Sequence, residues 1–154
     1  MKNMFSEIIG IIKKSLFRRK MLIDNDEGKI ALKGLYKILI VDDQTSIRES
    51  IRLTLGIKYK DLYVKDAVDG KQALSSLAQE DFDLMTTGIR MPNVNGIELL
   101  EKIKGNYPKM KRIVITAVNS EDVKQKAKQL GAIEYILKPF DVEGLLKLFE
   151  KLRR

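Results

Sequence analysis

The sequence predicts an α/β fold in which five parallel strands alternate with five helices. From residue 37 onward, short apolar runs alternate with segments whose apolar residues recur every three or four positions, and this happens five times. The first run, KILIVD, is almost continuously apolar, as a strand covered on both faces should be. Such alternation predicts a doubly wound parallel sheet joined by right-handed crossovers, with helices on both faces.

The five strands are assigned to the apolar runs at 37–42, 62–67, 82–87, 112–116 and 133–137. Each helix then begins beside a residue that can cap its first turn. We expect a capping box at Ser46 and Glu49, in a helix from Thr45 to Leu55. The later helices are expected to open at Asp69, Asn95, Ser120 and Asp141. Gly131 marks the end of the fourth helix.

Chemistry in a parallel sheet collects at the carboxyl ends of its strands. That rule selects five residues: Asp42, Asp43, Gly88, Thr116 and Lys138. Taken singly, the aspartates could cap a helix, the threonine could be an ordinary strand residue and the lysine could be solvated. Together, the two carboxylates, the hydroxyl and the ammonium indicate a site for Mg²⁺ and a phosphoryl group.

Composition narrows the chemistry available to this chain. Of its 154 residues, 44% are hydrophobic and 32% are charged, which is typical of a folded protein. The sequence contains neither cysteine nor histidine, so thiol catalysis, disulfides, zinc–thiolate sites and imidazole acid–base chemistry are excluded. The absence of cysteine fits a cytoplasmic protein.

Four motifs, LIVDDQ, GIRMPNVNGIELL, VITA and YILKPF, resemble the receiver domain of two-component response regulators, which includes the CheY-like proteins. They occur in the family's order, and the resemblance covers about 37–154. It implies a flavodoxin-like fold with strand order 2-1-3-4-5. It also implies a role in phosphorelay signalling, in which a histidine kinase transfers a phosphoryl group to an aspartate of the receiver.

The resemblance also assigns roles to individual residues. Asp42, Asp43 and the backbone carbonyl of Arg90 would hold Mg²⁺, while Thr116 and Lys138 would contact the phosphoryl group. Ala117 would be the small residue beside the site, Thr116 and Tyr135 the switch residues, and Lys138–Pro139 a cis peptide bond.

One position departs from the family pattern. The acceptor aspartate is expected directly before I-R-M-P, and this residue is Gly88, which carries no side chain. No nearby side chain can take the place of this aspartate. Asp83 lies about 16 Å back along the strand, and Thr87 points to the opposite face of the sheet. Thr86 points to the same face as residue 88 but lies about 7 Å back along the strand. A natural pseudo-receiver and an engineered phospho-dead variant would both have this sequence. We therefore expect no phosphorylation, an ion pair between Lys138 and the aspartates, and weak Mg²⁺ binding.

The leading hypothesis is a non-enzymatic interaction module that does not depend on phosphorylation. Its expected partner surface comprises Lys124, Lys126 and Lys128, which would favour an acidic partner, either a histidine kinase or a downstream signalling protein. Leu148 belongs to the same expected surface and would receive the N-terminal helix or a second subunit. A solvated lysine face and an incidental leucine are the alternative. A homodimer is a further alternative. A phosphatase of the haloacid dehalogenase type would need D-x-D after the first strand, and this motif is absent. We expect no direct nucleic-acid binding, since no helix-turn-helix pattern follows the last helix.

Residues 1–22 are predicted to form a basic amphipathic helix, and 23–36 a linker or small hairpin. An apolar stripe at helical spacing comprises Phe5, Ile8, Ile9, Ile12 and Leu16. Residues 1–36 contain eight Lys or Arg and four Asp or Glu, which is half of the chain's net charge of +8. The sequence favours packing of the stripe on the receiver or a second subunit. The alternatives are an anionic surface at the inner membrane, where the protein would act as a tethered adaptor, and a nucleic-acid arm.

Overall fold

The computed structural model describes residues 34–154, and the predicted N-terminal helix and most of the predicted linker lie outside them. The strands are β1 (Tyr36–Val41), β2 (Leu62–Ala67), β3 (Leu84–Thr87), β4 (Lys111–Thr116) and β5 (Glu134–Leu137). The helices are α1 (Thr45–Lys58), α2 (Gly70–Gln79), α3 (Gly96–Ile103), α4 (Glu121–Gln129) and α5 (Val142–Arg153).

The strands form one parallel sheet in the order β2-β1-β3-β4-β5, which confirms the predicted topology. The strand alternation divides the core into two layers. Leu39, Val41 and Met85 pack on the face that also receives α2, α3 and α4. Ile38 and Ile40 point the other way, toward α1 and α5.

Four of the predicted helix starts are confirmed by side-chain caps. In each of these helices, a side-chain oxygen of the N-cap residue accepts a backbone N–H of the first turn. The N-cap residues are Asp69 of α2, Asn95 of α3, Ser120 of α4 and Asp141 of α5. Gly131 has a φ of +98° and follows the end of α4, as predicted. Lys138–Pro139 is cis, as the resemblance implied.

The predicted capping box of α1 is wrong. The N-cap is Gln44, which makes no side-chain cap hydrogen bond, and Ser46 already lies inside the first turn. The helix also continues to Lys58 rather than ending at Leu55. This extra turn leads to Tyr59, whose ring packs on Phe149 of α5 with the ring centroids 4.8 Å apart.

Several strand boundaries also differ from the prediction by one or two residues. Tyr36 belongs to β1 and not to the linker, and its backbone N–H donates to the carbonyl of Asp61 at 2.8 Å. β3 begins at Leu84 rather than at residue 82. Within residues 34–154, no helix has both the length and the apolar character needed to cross a membrane.

Candidate functional site

The predicted site residues lie at the carboxyl edge of the sheet because backbone hydrogen bonds extend beyond the strands. Asp42 N–H donates to the carbonyl of Ala67 at 3.1 Å, and Gly88 N–H donates to the carbonyl of Val41 at 2.9 Å. Lys138 N–H donates to the carbonyl of Thr116 at 2.8 Å. The order of the sheet therefore brings residues from four separate strand ends to one edge.

Asp42 is the most heavily bonded of these residues. It is 3% exposed, and its Oδ2 accepts a hydrogen bond from Lys138 Nζ at 2.7 Å. Its Oδ1 accepts the backbone N–H of Gln44 at 2.9 Å, and its carbonyl accepts Arg48 Nη1 at 2.7 Å. The carboxylate is thus held by one cation and one backbone donor, which limits the cost of burying its charge.

Asp43 differs sharply from Asp42. Its side chain is exposed and makes no hydrogen bond or ion pair with any other residue in 34–154. It lines an open cleft of about 530 Å³ together with Arg90, Met91 and Asn95. The expected pairing of Lys138 with the aspartates is therefore confirmed for Asp42 and wrong for Asp43, which is exposed at the cleft instead.

At position 88 a side chain would point directly at Asp42. A Cβ atom built on Gly88 would lie 3.2 Å from Asp42 Oδ2 and 3.7 Å from Met91 Sδ. The φ of Gly88 lies outside the left-handed region, so its backbone conformation does not require glycine. Thr87 is buried, and its hydroxyl donates to the Gly88 carbonyl at 2.9 Å.

The other residues of β3 lie away from position 88. Thr86 is buried and paired in register with Ile40 and Ile113, one step below the strand end. The carboxylate of Asp83 accepts the backbone N–H of Lys37 at 2.7 Å, at the opposite end of the sheet. Neither residue brings an oxygen to the place that a side chain at position 88 would occupy.

The backbone of Val118 links the predicted switch residues. Its N–H donates to Thr116 Oγ1 at 3.2 Å, and its carbonyl accepts the hydroxyl of Tyr135 at 2.7 Å. Burial raises the pKa of Tyr135 above its usual value, which is already well above neutral pH, and the protonated phenol is a donor. Ala117, which lies between Thr116 and Val118 in the chain, is exposed.

The loop between β3 and α3, which carries Arg90, is attached to the N-terminus of α2. Asn93 donates from its side-chain amide to Asp69 Oδ2 at 2.7 Å, and Gly70 N–H donates to the carbonyl of Val94 at 2.9 Å. Hydrogen bonds from the Gln72 backbone and the Asn93 side chain lower the pKa of Asp69. Arg90 itself is exposed at the rim of the cleft.

Sequence reasoning missed two features of this edge. The first is Arg48, which is 8% exposed and donates to the carbonyl of Asp42. Its position three residues before Ile51, on the buried side of α1, was a signal that could have predicted its burial. The contact between Asp69 and Asn93 joins residues 24 apart, and no periodicity in the sequence marks it.

The residues present make a poor Mg²⁺ site. Asp42 is already bonded to an ammonium, Asp43 is turned into solvent, and position 88 supplies no oxygen from a side chain. Within the described part of the chain, no group of three or more Asp, Glu, His or Cys residues is arranged to hold a metal ion. A Mg²⁺ ion at Asp42 would have to compete with the ammonium of Lys138 for the same carboxylate oxygen.

The predicted partner surface is partly engaged within the molecule. Lys126 Nζ lies 3.5 Å from Glu101 Oε1 on α3, while Lys128 is exposed and Lys124 is half-buried. Leu148 is also half-buried and lines a groove of about 370 Å³ with Leu137, Phe140 and other residues of β5 and α5.

Comparison with known proteins gives consistent results for this domain. The family model described as the response regulator receiver domain matches residues 38–150. The response regulator protein PilR of Pseudomonas aeruginosa is 38% identical over 112 residues, which cover 73% of this chain but only 25% of that protein. The chain therefore spans about a quarter of that relative's length.

Two further relatives are matched over nearly their whole length. Sporulation initiation phosphotransferase F of Bacillus subtilis is 35% identical over 115 residues, which are 75% of this chain and 91% of the relative. A CheY-like receiver domain protein of Methanospirillum hungatei superimposes with a TM-score of 0.70 at 36% identity, covering 77% of this chain and 94% of that one.

Proposed function

This chain belongs to the response regulator receiver family, and from that membership we propose that it is a two-component signalling module which acts by binding proteins without being phosphorylated on aspartate. Receiver domains in general are signalling modules rather than enzymes. The proposal adds to this that the acceptor is missing in this chain.

The observation that carries the proposal is the geometry at position 88. By its place after β3, and by the direction of its Cβ toward Asp42 Oδ2, this is where the acceptor carboxylate would stand. Glycine has no oxygen to form an acyl phosphate. The backbone there does not demand glycine, so the residue is not explained by a requirement of the fold.

The ion pair between Lys138 and Asp42 supports the same proposal. With no acceptor carboxylate in the site, the ammonium finds its counter-ion in Asp42, at 2.7 Å. The side chains of Lys138 and Asp42 are only 15% and 4% exposed, so the pair is shielded from water and salt. The site is then held in one arrangement by its own residues, and no step that adds or removes a phosphoryl group is needed to maintain it.

A partner of this module would be a histidine kinase or a downstream signalling protein. The exposed Lys128 and the half-buried Lys124 on α4 favour an acidic contact, whereas the charge of Lys126 is partly offset by Glu101. Binding that depends on this helix should weaken when Lys124 and Lys128 are changed to glutamate.

The test of the proposal is incubation with acetyl phosphate and Mg²⁺, followed by intact mass measurement. We expect no hydroxylamine-labile addition to the natural chain. The Gly88→Asp variant is the matched control, because it returns one carboxylate to a site that otherwise keeps Asp42, Thr116 and Lys138, and it should gain the mass of one phosphoryl group. A stoichiometric hydroxylamine-labile adduct on the natural chain would contradict the proposal.

A further inference from the structure

The described domain is electrically polarised along the strand direction. We define the amino edge of the sheet as residues 34–38, 57–63, 78–84, 102–112, 128–134 and 150–154, which are the strand starts and the ends of the helices that precede them. This edge holds twelve Lys or Arg and six Asp or Glu. We define the carboxyl edge as residues 42–49, 66–72, 88–98, 116–124 and 137–143. It holds five Lys or Arg and ten Asp or Glu. The two edges therefore carry formal charges of +6 and −5.

The excess positive charge is concentrated at one part of the amino edge. Residues 102–112 contain five cations and no acid. Four exposed lysines there and at the end of α4 make no ion pair with residues 34–154, and we call them the amino-edge lysines: Lys102, Lys104, Lys109 and Lys128. Other lysines at or near this edge are paired. Glu80 forms ion pairs with Lys37 and Lys65, and Glu150 forms one with Lys58.

Arg112 connects the two loops that carry the amino-edge lysines. Its guanidinium donates to the backbone carbonyls of Asn106 and Tyr107, in the loop after α3. The same group lies 3.1 Å from the place of a Cβ on Gly131, in the turn after α4. Arg112 is half-buried, which lowers its pKa, and its guanidinium is bonded to these backbone carbonyls, so it joins the loops.

We propose that the amino edge binds the surface of an anionic lipid bilayer. The amino-edge lysines carry compact charges, which suit a diffuse layer of headgroups better than they suit bidentate recognition of a particular group. They are spread over loop ends instead of lining a groove. Tyr107 is the one aromatic side chain in 102–112, and it is half-buried, so stacking on nucleic acid bases has little support.

The connection to the preceding segment supports the same partner. The chain enters β1 at the amino edge, and residues 1–36 add eight Lys or Arg against four Asp or Glu. Two basic elements thus adjoin in sequence, and membrane attachment becomes stable when two such signals act together. The negative carboxyl edge is repelled by the same surface and therefore faces away from it.

The experiment is flotation of the full chain with vesicles of about one third phosphatidylglycerol in phosphatidylcholine, against phosphatidylcholine alone. One variant combines Lys102→Glu, Lys104→Glu and Lys109→Glu. The matched control combines Lys71→Glu, Lys124→Glu and Lys147→Glu, which changes the net charge equally but away from the amino edge. Circular dichroism melts establish that both variants fold.

We expect the natural chain to float only with anionic vesicles, and to lose binding as salt rises from about 0.1 M to about 1 M and the Debye length falls from about 10 Å to about 3 Å. Each lysine near the surface should contribute roughly fivefold to partitioning into anionic vesicles. The amino-edge variant, which loses three of them, should therefore partition about 100-fold less or worse, and the control variant should lose less than about tenfold. Equal losses in the two variants, no flotation of the natural chain, or preferential binding to duplex DNA offered at equal phosphate concentration would each overturn the proposal. None of these outcomes depends on whether the chain accepts a phosphoryl group, so this test is independent of the proposed function.

Discussion

Lys138 Nζ and Asp42 Oδ2 lie 2.7 Å apart and join the ends of β5 and β1 across 96 residues of sequence. Since both side chains are largely buried, their contact offsets part of the cost of removing each from water. The two strands are separated in the sheet by β3 and β4, so the pair also connects the sheet's two halves above the gap left at position 88.

Removing the ammonium should therefore destabilise the protein more than a surface change would. We expect Lys138→Met to cost about 3 kcal/mol in the free energy of unfolding, the low end for a broken buried pair, because the lysine is not completely shielded. Urea denaturation measures this. Lys147→Met is the matched control, since its ion pair with Glu143 is exposed and should be worth less than about 0.5 kcal/mol. A double variant with Asp42→Asn should recover part of the loss, and strict additivity would argue against coupling of the two charges.

Alanine should be tolerated at Gly88 but not at Gly96. At Gly88 the new Cβ would meet the end of one side chain at 3.2 Å, so we expect Gly88→Ala to change stability by less than about 1 kcal/mol. At Gly96 the Cβ would lie 1.9 Å from the backbone carbonyl oxygen of Gly88, and the loop must move. Gly96→Ala should cost about 2 kcal/mol or more. Thermal unfolding of the two variants measures both changes, and a strongly destabilised Gly88→Ala would mean that the fold itself demands glycine there.

Magnesium affinity should rise when a carboxylate is returned to position 88. We expect Gly88→Asp to bind Mg²⁺ at least about tenfold more tightly than the natural chain, because it adds a hard oxygen ligand and a negative charge beside Asp42. Titration calorimetry gives both constants. Gly88→Asn is the control that adds an oxygen without a charge, and equal affinities for the natural chain and Gly88→Asp would refute the account of a site disabled by the missing carboxylate.

The sequence predicted those features that depend on local pattern. The alternation of Ile38, Leu39, Ile40 and Val41 between two core layers follows from strand periodicity, and the caps at Asp69 and Asn95 need only residues within one turn. The motif order placed Asp42 and Lys138 at one edge, so their pairing could be predicted as well. The role of Asp43 could not, because the direction of an exposed side chain after a strand is not fixed by periodicity.

The features that sequence reasoning missed are contacts between distant segments. Arg48 reaches the carbonyl of Asp42 only because α1 turns back over β1, and Asn93 meets Asp69 only because α2 and α3 are neighbours. The α1 capping box failed for a local reason. Ser46 and Glu49 have the right spacing, but the helix begins at Thr45, as predicted, so Ser46 lies inside the first turn and Gln44 occupies the N-cap position.

Asp69 should make stability depend on pH in the acid range. Its pKa is lowered from 3.8 by hydrogen bonds from the Gln72 backbone and the Asn93 side chain. A depressed folded-state pKa stabilises the native protein above about pH 4, and that contribution is lost as pH falls through the lower, folded-state value. Asp69→Asn should therefore cost about 1 kcal/mol at pH 7, and its difference from the natural chain should narrow below pH 4. Melting curves at several pH values test this, with the exposed Asp81→Asn as control; a constant difference across the range would contradict it.

The stripe of residues 1–22 makes a separate prediction, because its helix would be marginal alone in water and needs an apolar surface. Sequence alone favoured packing against protein, whereas the basic amino edge favours the bilayer, since like charges gain nothing from contact. We expect Ile8→Asp with Ile12→Asp to abolish most flotation on anionic vesicles while leaving the unfolding midpoint within about 2 °C, less than a loss of about 1 kcal/mol would cause. Asn3→Asp with Gly10→Asp adds the same two charges on the opposite face of the predicted helix and should retain more binding. A lowered midpoint or a lost dimer, with flotation unchanged, would instead establish that the stripe packs on protein.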